Sequence, residues 1–217
     1  MPPTSPRRTL PALYAILDVD LCEARGVQPR RLVDEWLDAG VRLIQLRAKH
    51  LTLGPFLQLA ESLAAACRRA GAIFIVNDRV DVARLSGADG VHLGQEDLPP
   101  GDARAAWPDA RWIGWSTHSD AQLAGALASG ATYIAIGPVF QTTTKAHPDP
   151  VVGLEGVRRA ARLVGPADRP LVAIGGITID RALDVLAAGA TSVAVVSGLV
   201  PALDGDLGAR EWVRRLG

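Results

Sequence analysis

Apolar and polar positions alternate along this chain in two rhythms. Short β-prone runs, at 12–18, 42–47, 73–78, 90–94, 111–116, 133–139, 171–176 and 192–199, read as strands. Between them lie longer stretches with apolar residues at helical spacing, as at 29–39, 55–70, 119–129, 153–164 and 179–188. Gly40, Gly71, Gly130 and Gly189 follow four of these stretches, where glycine stops a helix and releases the chain into the next strand. Strands that alternate with helices from end to end predict a parallel sheet made of βα units. Eight such units in 217 residues fit a small, single-domain α/β chain folded as a (β/α)8 TIM barrel, since an open doubly wound sheet usually stops at fewer strands. The barrel is assigned to 11–217 and a flexible N-terminal segment to 1–10. A last helix is expected at about 206–216, with Trp212 packed on the outside of the barrel.

Composition narrows the chemistry. Basic and acidic residues number 23 each, so the formal net charge is zero and there is no broad electrostatic footprint for nucleic acid or an anionic membrane. Anion recognition, if present, has to be local. Only two of the basic residues are lysines, Lys49 and Lys145, which makes those two positions informative. Cys22 and Cys67 lie far apart without metal-ligand spacing and read as idle thiols of a reduced protein. Residues 1–8 carry charge and proline without a following apolar stretch, and no run approaches the roughly 20 apolar residues that span a bilayer. The expectation is a cytoplasmic protein that acts on small molecules, with no nucleic-acid or membrane partner. A homo-oligomer is compatible with all of this.

Active sites of such barrels lie where strands end and βα loops begin. The second run ends in Gln45-Leu46-Arg47-Ala48-Lys49, and the strand period places Gln45, Arg47 and Lys49 on one face. An inward arginine and lysine without counterions imply a bound anion, and phosphate suits both; a solvated strand end is the alternative. The third run leads into Asn77-Asp78, which taken alone reads equally as a helix cap. The fourth leads through Gly94 to Gln95-Glu96-Asp97, so Asp78 and Asp97 can share a hard cation. Magnesium fits best, because it takes a few carboxylate oxygens plus substrate phosphates.

The fifth run ends in Trp115-Ser116-Thr117-His118, with His118 readable either as a rim donor or as a helix cap. The sixth is followed by Gly137-Pro138-Val139-Phe140-Gln141-Thr142-Thr143-Thr144-Lys145 and an irregular stretch to Gly153. Thr142, Thr143, Thr144 and Lys145 make an anion cradle, or else an ordinary β-edge. After the seventh and eighth runs come Gly175-Gly176 and Val195-Val196-Ser197-Gly198, small residues where barrels of this kind bind phosphate on backbone amides at helix starts.

Seven motifs in order at successive strand ends, Gln-Leu-Arg-Ala-Lys, Asn-Asp, Gly-Val-His-Leu-Gly-Gln-Glu-Asp, Trp-Ser-Thr-His, Gly-Pro-Val-Phe-Gln-Thr-Thr-Thr-Lys, Ile-Gly-Gly-Ile and Val-Val-Ser, resemble those of the thiamine-phosphate synthase family over about residues 12–199. The resemblance implies an enzyme that joins an aminopyrimidine-methyl diphosphate to a thiazole-ethyl phosphate, giving thiamine phosphate and diphosphate. It implies that Gln45, Arg47, Lys49, Asn77, Ser116 and Lys145 hold the pyrimidine diphosphate, with Arg47, Lys49, Ser116 and Lys145 as the catalytic set. Asp78 and Asp97 then bind Mg2+, and Thr142, Thr144, Gly176, Val196 and Ser197 meet the thiazole phosphate, with Thr143 in the same loop. The implied mechanism is dissociative and needs no general base.

Two residues depart from the pattern expected of many relatives: Gln141 stands where proline is expected, and Trp115 is bulky beside Ser116. Both are expected to bear on loop shape. A thiazole tautomerase of the same barrel family would need His118 or His92 as acid and base. A Schiff-base aldolase would need Lys49 or Lys145 as nucleophile. A non-catalytic binder of thiamine precursors would use the same residues without turnover.

Overall fold

Every strand run buries both faces, as strands inside a ring of helices must. The computed structural model describes residues 9–142, 149–200 and 208–216. Its order is β1 (Leu13–Asp18), α1 (Val19–Ala24), α2 (Pro29–Asp38), β2 (Leu43–Arg47), α3 (Leu53–Arg69), β3 (Ile73–Asn77), α4 (Val80–Ser86), β4 (Gly90–Leu93), α5 (Pro100–Ala106), β5 (Trp112–Thr117), α6 (Asp120–Ala128), β6 (Tyr133–Ile136), α7 (Gly153–Val164), β7 (Leu171–Ile174), α8 (Ile179–Ala187), β8 (Ser192–Val195) and α9 (Ala209–Leu216). The eight strands are parallel to their neighbours and form a closed barrel, β8 pairing back onto β1. The expected (β/α)8 architecture is what the chain adopts.

The two-residue strand period divides the core into two parts. One face of each strand packs outward on the helices, through residues such as Leu17, Leu46, Val76, Leu93, Ile113, Ile136, Ala173 and Val193. The other faces fill the barrel with Tyr14, Ile16, Leu43, Ile75, Trp112, Tyr133, Ala135, Val172 and Ala194, and buried Leu10 belongs to this inner cluster. Trp212 is buried on the outside, as expected, and its indole Nε1 donates to the Gly198 carbonyl at 3.1 Å.

Gly40, Gly71, Gly130 and Gly189 all take positive φ just beyond helices, which is the conformation that made them legible as stops. The last three strands are shorter than the apolar runs suggest. β6 stops before the cis Gly137–Pro138 peptide, β7 before Gly175 and Gly176 at positive φ, and β8 before a turn at 197–199. Val139 and Leu199 are buried beyond those strands, so apolarity outlasts the ladder. Helices α1, α4 and α5, of six or seven residues each, are too short to show a period.

Candidate active site

The C-terminal ends of β2 to β5 bring together two cations, two carboxyls and a hydroxyl. Arg47 ends β2, and the β1–β2 register sets it directly beside Asp18 at the end of β1. Its guanidinium ion-pairs with the buried Asp18 carboxylate, which also caps α1 by accepting from the Leu21 amide at 3.0 Å. Lys49, two residues on, places Nζ 2.5 Å from Asp78 Oδ2. The premise that these cations lack internal counterions is therefore corrected: Asp18 and Asp78 are their partners. Asp18 went unremarked because the end of the first run was not read as a rim position.

Asp78 is held unusually. It takes φ +64°, a left-handed conformation rare for a non-glycine residue, while its amide donates to the His92 carbonyl at 2.8 Å. Asn77-Asp78 is not a helix cap, since the cap position of α4 falls to Arg79. The Asp78 carboxyl neighbours that of Asp97, and burial together with Asp97 raises its pKa against the opposing pull of Lys49. Asp97 is oriented in turn by the Gly94 amide, which donates to its Oδ2 at 2.7 Å. Two neighbouring carboxyls repel when both are ionised and so favour a cation beside them; Lys49 is one, and the hard-oxygen donor set fits magnesium as another. Among the described residues no cluster of three His, Cys, Asp or Glu gathers as an alternative metal site. A cavity of about 120 Å³ beside the pair is lined by Ala48, Lys49, Leu51, Phe56, Asn77, Asp78 and Arg79.

Gln45 sits deeper than Arg47. It is 3% exposed, and its amide nitrogen donates to the Tyr14 hydroxyl at 2.8 Å. Ser116, half-buried at the end of β5, has its Oγ 2.8 Å from His92 Nε2, and its carbonyl accepts from Gln95 Nε2 at 2.6 Å. Trp115 lies on the opposite face of β5 from Ser116, with Ile113, so its bulk is directed toward the helices; its indole nitrogen is buried without a partner among the described residues. His118 does not cap α6, a role that Ser119 fills by accepting from the Gln122 amide. Its Nδ1 lies 2.7 Å from the Gly137 carbonyl and 3.5 Å from Asp149.

Gly175 and Gly176 have a second reason for their size. The amides of Val139 and Phe140 donate to the carbonyls of Ile174 and Gly175 at 2.9 Å, docking the loop after β6 on the end of β7. A Cβ on Gly175 would lie 2.6 Å from Pro138, and one on Gly176 would overlap the Gln141 carbonyl. This docking delivers half-buried Thr142, which lies beyond the end of β6 and outside any strand; Thr143, Thr144 and Lys145 lie outside the described residues.

Beyond β8, Val196 is half-buried and Ser197 exposed, and the chain enters a turn where a helix start was expected. Arg25 donates to the carbonyls of Ser197 and Val200, Trp36 to that of Leu199 and Trp212 to that of Gly198. A trans peptide sets each N–H opposite the preceding carbonyl, so the Gly198 amide is directed away from Arg25. Both cysteines are buried free thiols, pushed up to about 11 for Cys22 and about 12 for Cys67, mainly by burial. Among the described residues no helix is long and apolar enough to cross a membrane.

Comparison with known proteins supplies an independent line. Residues 13–199 match the sequence profile of the family described as thiamine monophosphate synthase. A thiamine-phosphate synthase of Synechococcus sp. (strain WH7803) is 48% identical over 179 residues, covering 82% of this chain; the chain spans only 50% of that relative's length. One of Chloroflexus aurantiacus is 40% identical over 199 residues, covering 92% of this chain and 89% of its own. The solved structure of a thiamine phosphate pyrophosphorylase from Pyrococcus furiosus superposes with a TM-score of 0.81 at 35% identity, covering 94% of each chain.

Proposed function

The chain belongs to the thiamine monophosphate synthase family of transferases, and from that premise we propose that it joins an aminopyrimidine-methyl diphosphate to a thiazole-ethyl phosphate, or its carboxylated form. The observation that carries the reading is the rim itself: Arg47, Lys49, Asp78, Asp97 and Ser116 gather at four adjacent strand ends. A diphosphate leaving group needs that combination of cations, hard-oxygen donors and hydroxyl, and it needs no acid–base dyad.

In this reading Arg47, Lys49, Ser116 and Lys145 bind the diphosphate, while Gln45, set deeper, and Asn77, level with Arg47, meet the pyrimidine end of the same substrate. The bond between the methylene carbon and the diphosphate oxygen breaks, and its electron pair leaves with diphosphate. The aminopyrimidine stabilises the methylene cation, and the thiazole nitrogen closes the new C–N bond with its lone pair. Thr142, Thr143, Thr144, Gly176, Val196 and Ser197 hold the thiazole phosphate against that face. Asp78 and Asp97 would hold magnesium, which when bound supplies positive charge beside the departing diphosphate. The residues around it act by position, fixing two reactants in line and keeping donors aimed at developing charge.

Two details weigh against the rival enzymes. Both ring nitrogens of His92 are hydrogen-bonded inside the barrel, so it is poorly placed as a tautomerase base. Lys49 is engaged with a carboxylate, whereas a Schiff-base lysine must be offered as a free amine.

The deciding experiment supplies both substrates and magnesium and measures diphosphate release with thiamine phosphate formation in the wild type and in Asp78→Ala. Magnesium-dependent product that falls by about two orders of magnitude or more in the variant supports the synthase. Binding or isomerisation of the thiazole phosphate without product overturns it in favour of a binder or a tautomerase.

A further inference from the structure

Five side chains from five strands form an unbroken hydrogen-bonded chain through the barrel interior. Gln45 Nε2 donates to the Tyr14 hydroxyl at 2.8 Å, and Tyr14 Oη is 3.0 Å from Tyr133 Oη. Tyr133 Oη is 2.9 Å from His92 Nδ1, and His92 Nε2 is 2.8 Å from Ser116 Oγ. The reaction described above uses neither tyrosine nor the imidazole.

Such a chain has a direction. Each hydroxyl carries one proton, and a buried proton needs an acceptor; with the partners found among the described residues, one arrangement leaves none unpaired once the role at one end is set. The amide nitrogen of Gln45 has only protons to give. Tyr14 oxygen accepts one and turns its own proton to Tyr133, which turns its proton to His92 Nδ1. A neutral imidazole that accepts at Nδ1 carries its proton on Nε2, and so donates to Ser116 Oγ. The serine oxygen is then satisfied as an acceptor, and its own proton is free to point to the rim.

We propose that this chain fixes His92 as the Nε2–H tautomer and thereby makes Ser116 a hydrogen-bond donor to the anionic end of the substrate. His92, Tyr133 and Tyr14 are positioning residues, acting through Ser116. The functional half rests on the role given to Ser116 above, and the tautomer half stands on the geometry of the protein alone.

Two further features serve the chain. Gly114 lies where a Cβ would stand 2.5 Å from His92 Nδ1 and overlap the Tyr133 ring, so β5 carries no side chain at the point where hydroxyl and imidazole meet. Burial also holds His92 at about 4, which keeps the ring neutral at the pH where tautomer choice matters. The reversed direction would turn the serine proton inward and present oxygen lone pairs to a diphosphate.

The test is direct. In ligand-free protein with 15N-labelled histidine, the His92 ring is identified among four histidines by its loss in His92→Gln. The wild type is expected to show an unprotonated Nδ1 and a protonated Nε2. Tyr133→Phe, which keeps the ring and removes the donor, is expected to populate both tautomers, and Gln45→Met to do the same from the far end. A wild-type ring protonated at Nδ1, or a tautomer unaltered in both variants, overturns the proposal.

For the functional half, Tyr133→Phe is expected to lower kcat in proportion to the share of His92 that leaves the Nε2–H form, about twofold for equal populations, with KM for the thiazole phosphate unchanged. His92→Gln, which keeps an N–H for Ser116, is expected to retain more activity than His92→Leu. A shifted tautomer with unchanged kcat overturns the link to Ser116. A wild type that makes no product overturns the synthase reading and leaves the nitrogen spectra to decide the tautomer.

Discussion

Asp18 and Arg47 face each other across the β1–β2 ladder, and one carboxylate there both pairs with the guanidinium and caps helix α1. The first strand thus orients the cation that the second strand carries. Asp18→Ala is expected to lower stability by about 2 kcal/mol, through a lost cap and a partly buried arginine left without its partner. Asp18→Asn, which keeps an acceptor for the Leu21 amide, is expected to lose less. Urea denaturation of the two variants measures the difference, and equal losses would assign the whole effect to the ion pair.

Two glycines in neighbouring elements make a controlled pair. Gly114→Ala pushes a methyl group into Tyr133 and His92 and is expected to destabilise by about 3 kcal/mol. Gly125→Ala, in the exposed middle of α6 with nothing within 4 Å of the new carbon, is expected to stabilise by about 0.5–1 kcal/mol. Thermal melts of both variants check the sign as well as the size.

Burial depresses the His92 pKa from 6.5 to about 4, so it predicts a pH window. Between those values the unfolded chain binds a proton that the native imidazole refuses. Stability that is fully present above pH 6.5 is therefore lost as pH falls toward 4, by a total of about 3 kcal/mol. The urea midpoint of the wild type is expected to fall across this window more steeply than that of His92→Gln. Parallel curves would show that His92 titrates as it does in the unfolded chain.

Gly176→Ala combines positive φ with an overlap on the Gln141 carbonyl, so it is expected to undock the loop that carries Thr142. If that loop meets the thiazole phosphate, KM for this substrate rises about tenfold while KM for the pyrimidine diphosphate changes little. Steady-state kinetics with each substrate varied in turn separates the two constants.

What could be read in advance followed from locality. Helix stops at glycine and short, nearly continuous apolar strands are written in neighbouring residues, and so are Lys49, Asp78 and Asp97 as strand-end groups. Which charges neutralise one another is not, because Asp18 meets Arg47 across 29 positions of chain through barrel register. The inner hydroxyls were harder still, since Tyr14 and Tyr133 are 119 positions apart and each looks like an ordinary aromatic in an apolar strand. The strands that ran too long in the reading did so because buried turn residues such as Val139 are as apolar as a strand.

The turn beyond β8 is tied by Arg25 from the end of α1, Trp36 from α2 and Trp212 from α9, while Ser192 Oγ donates to the Pro11 carbonyl at 2.6 Å. During synthesis, Arg25 and Trp36 must therefore wait for the residues after β8 before that turn can be held. A ribosome that has made the β2, β3 and β4 rim has made Arg47, Lys49, Asp78 and Asp97, with the turn beyond β8 still untranslated. The barrel itself closes only once β8 is made and pairs back onto β1.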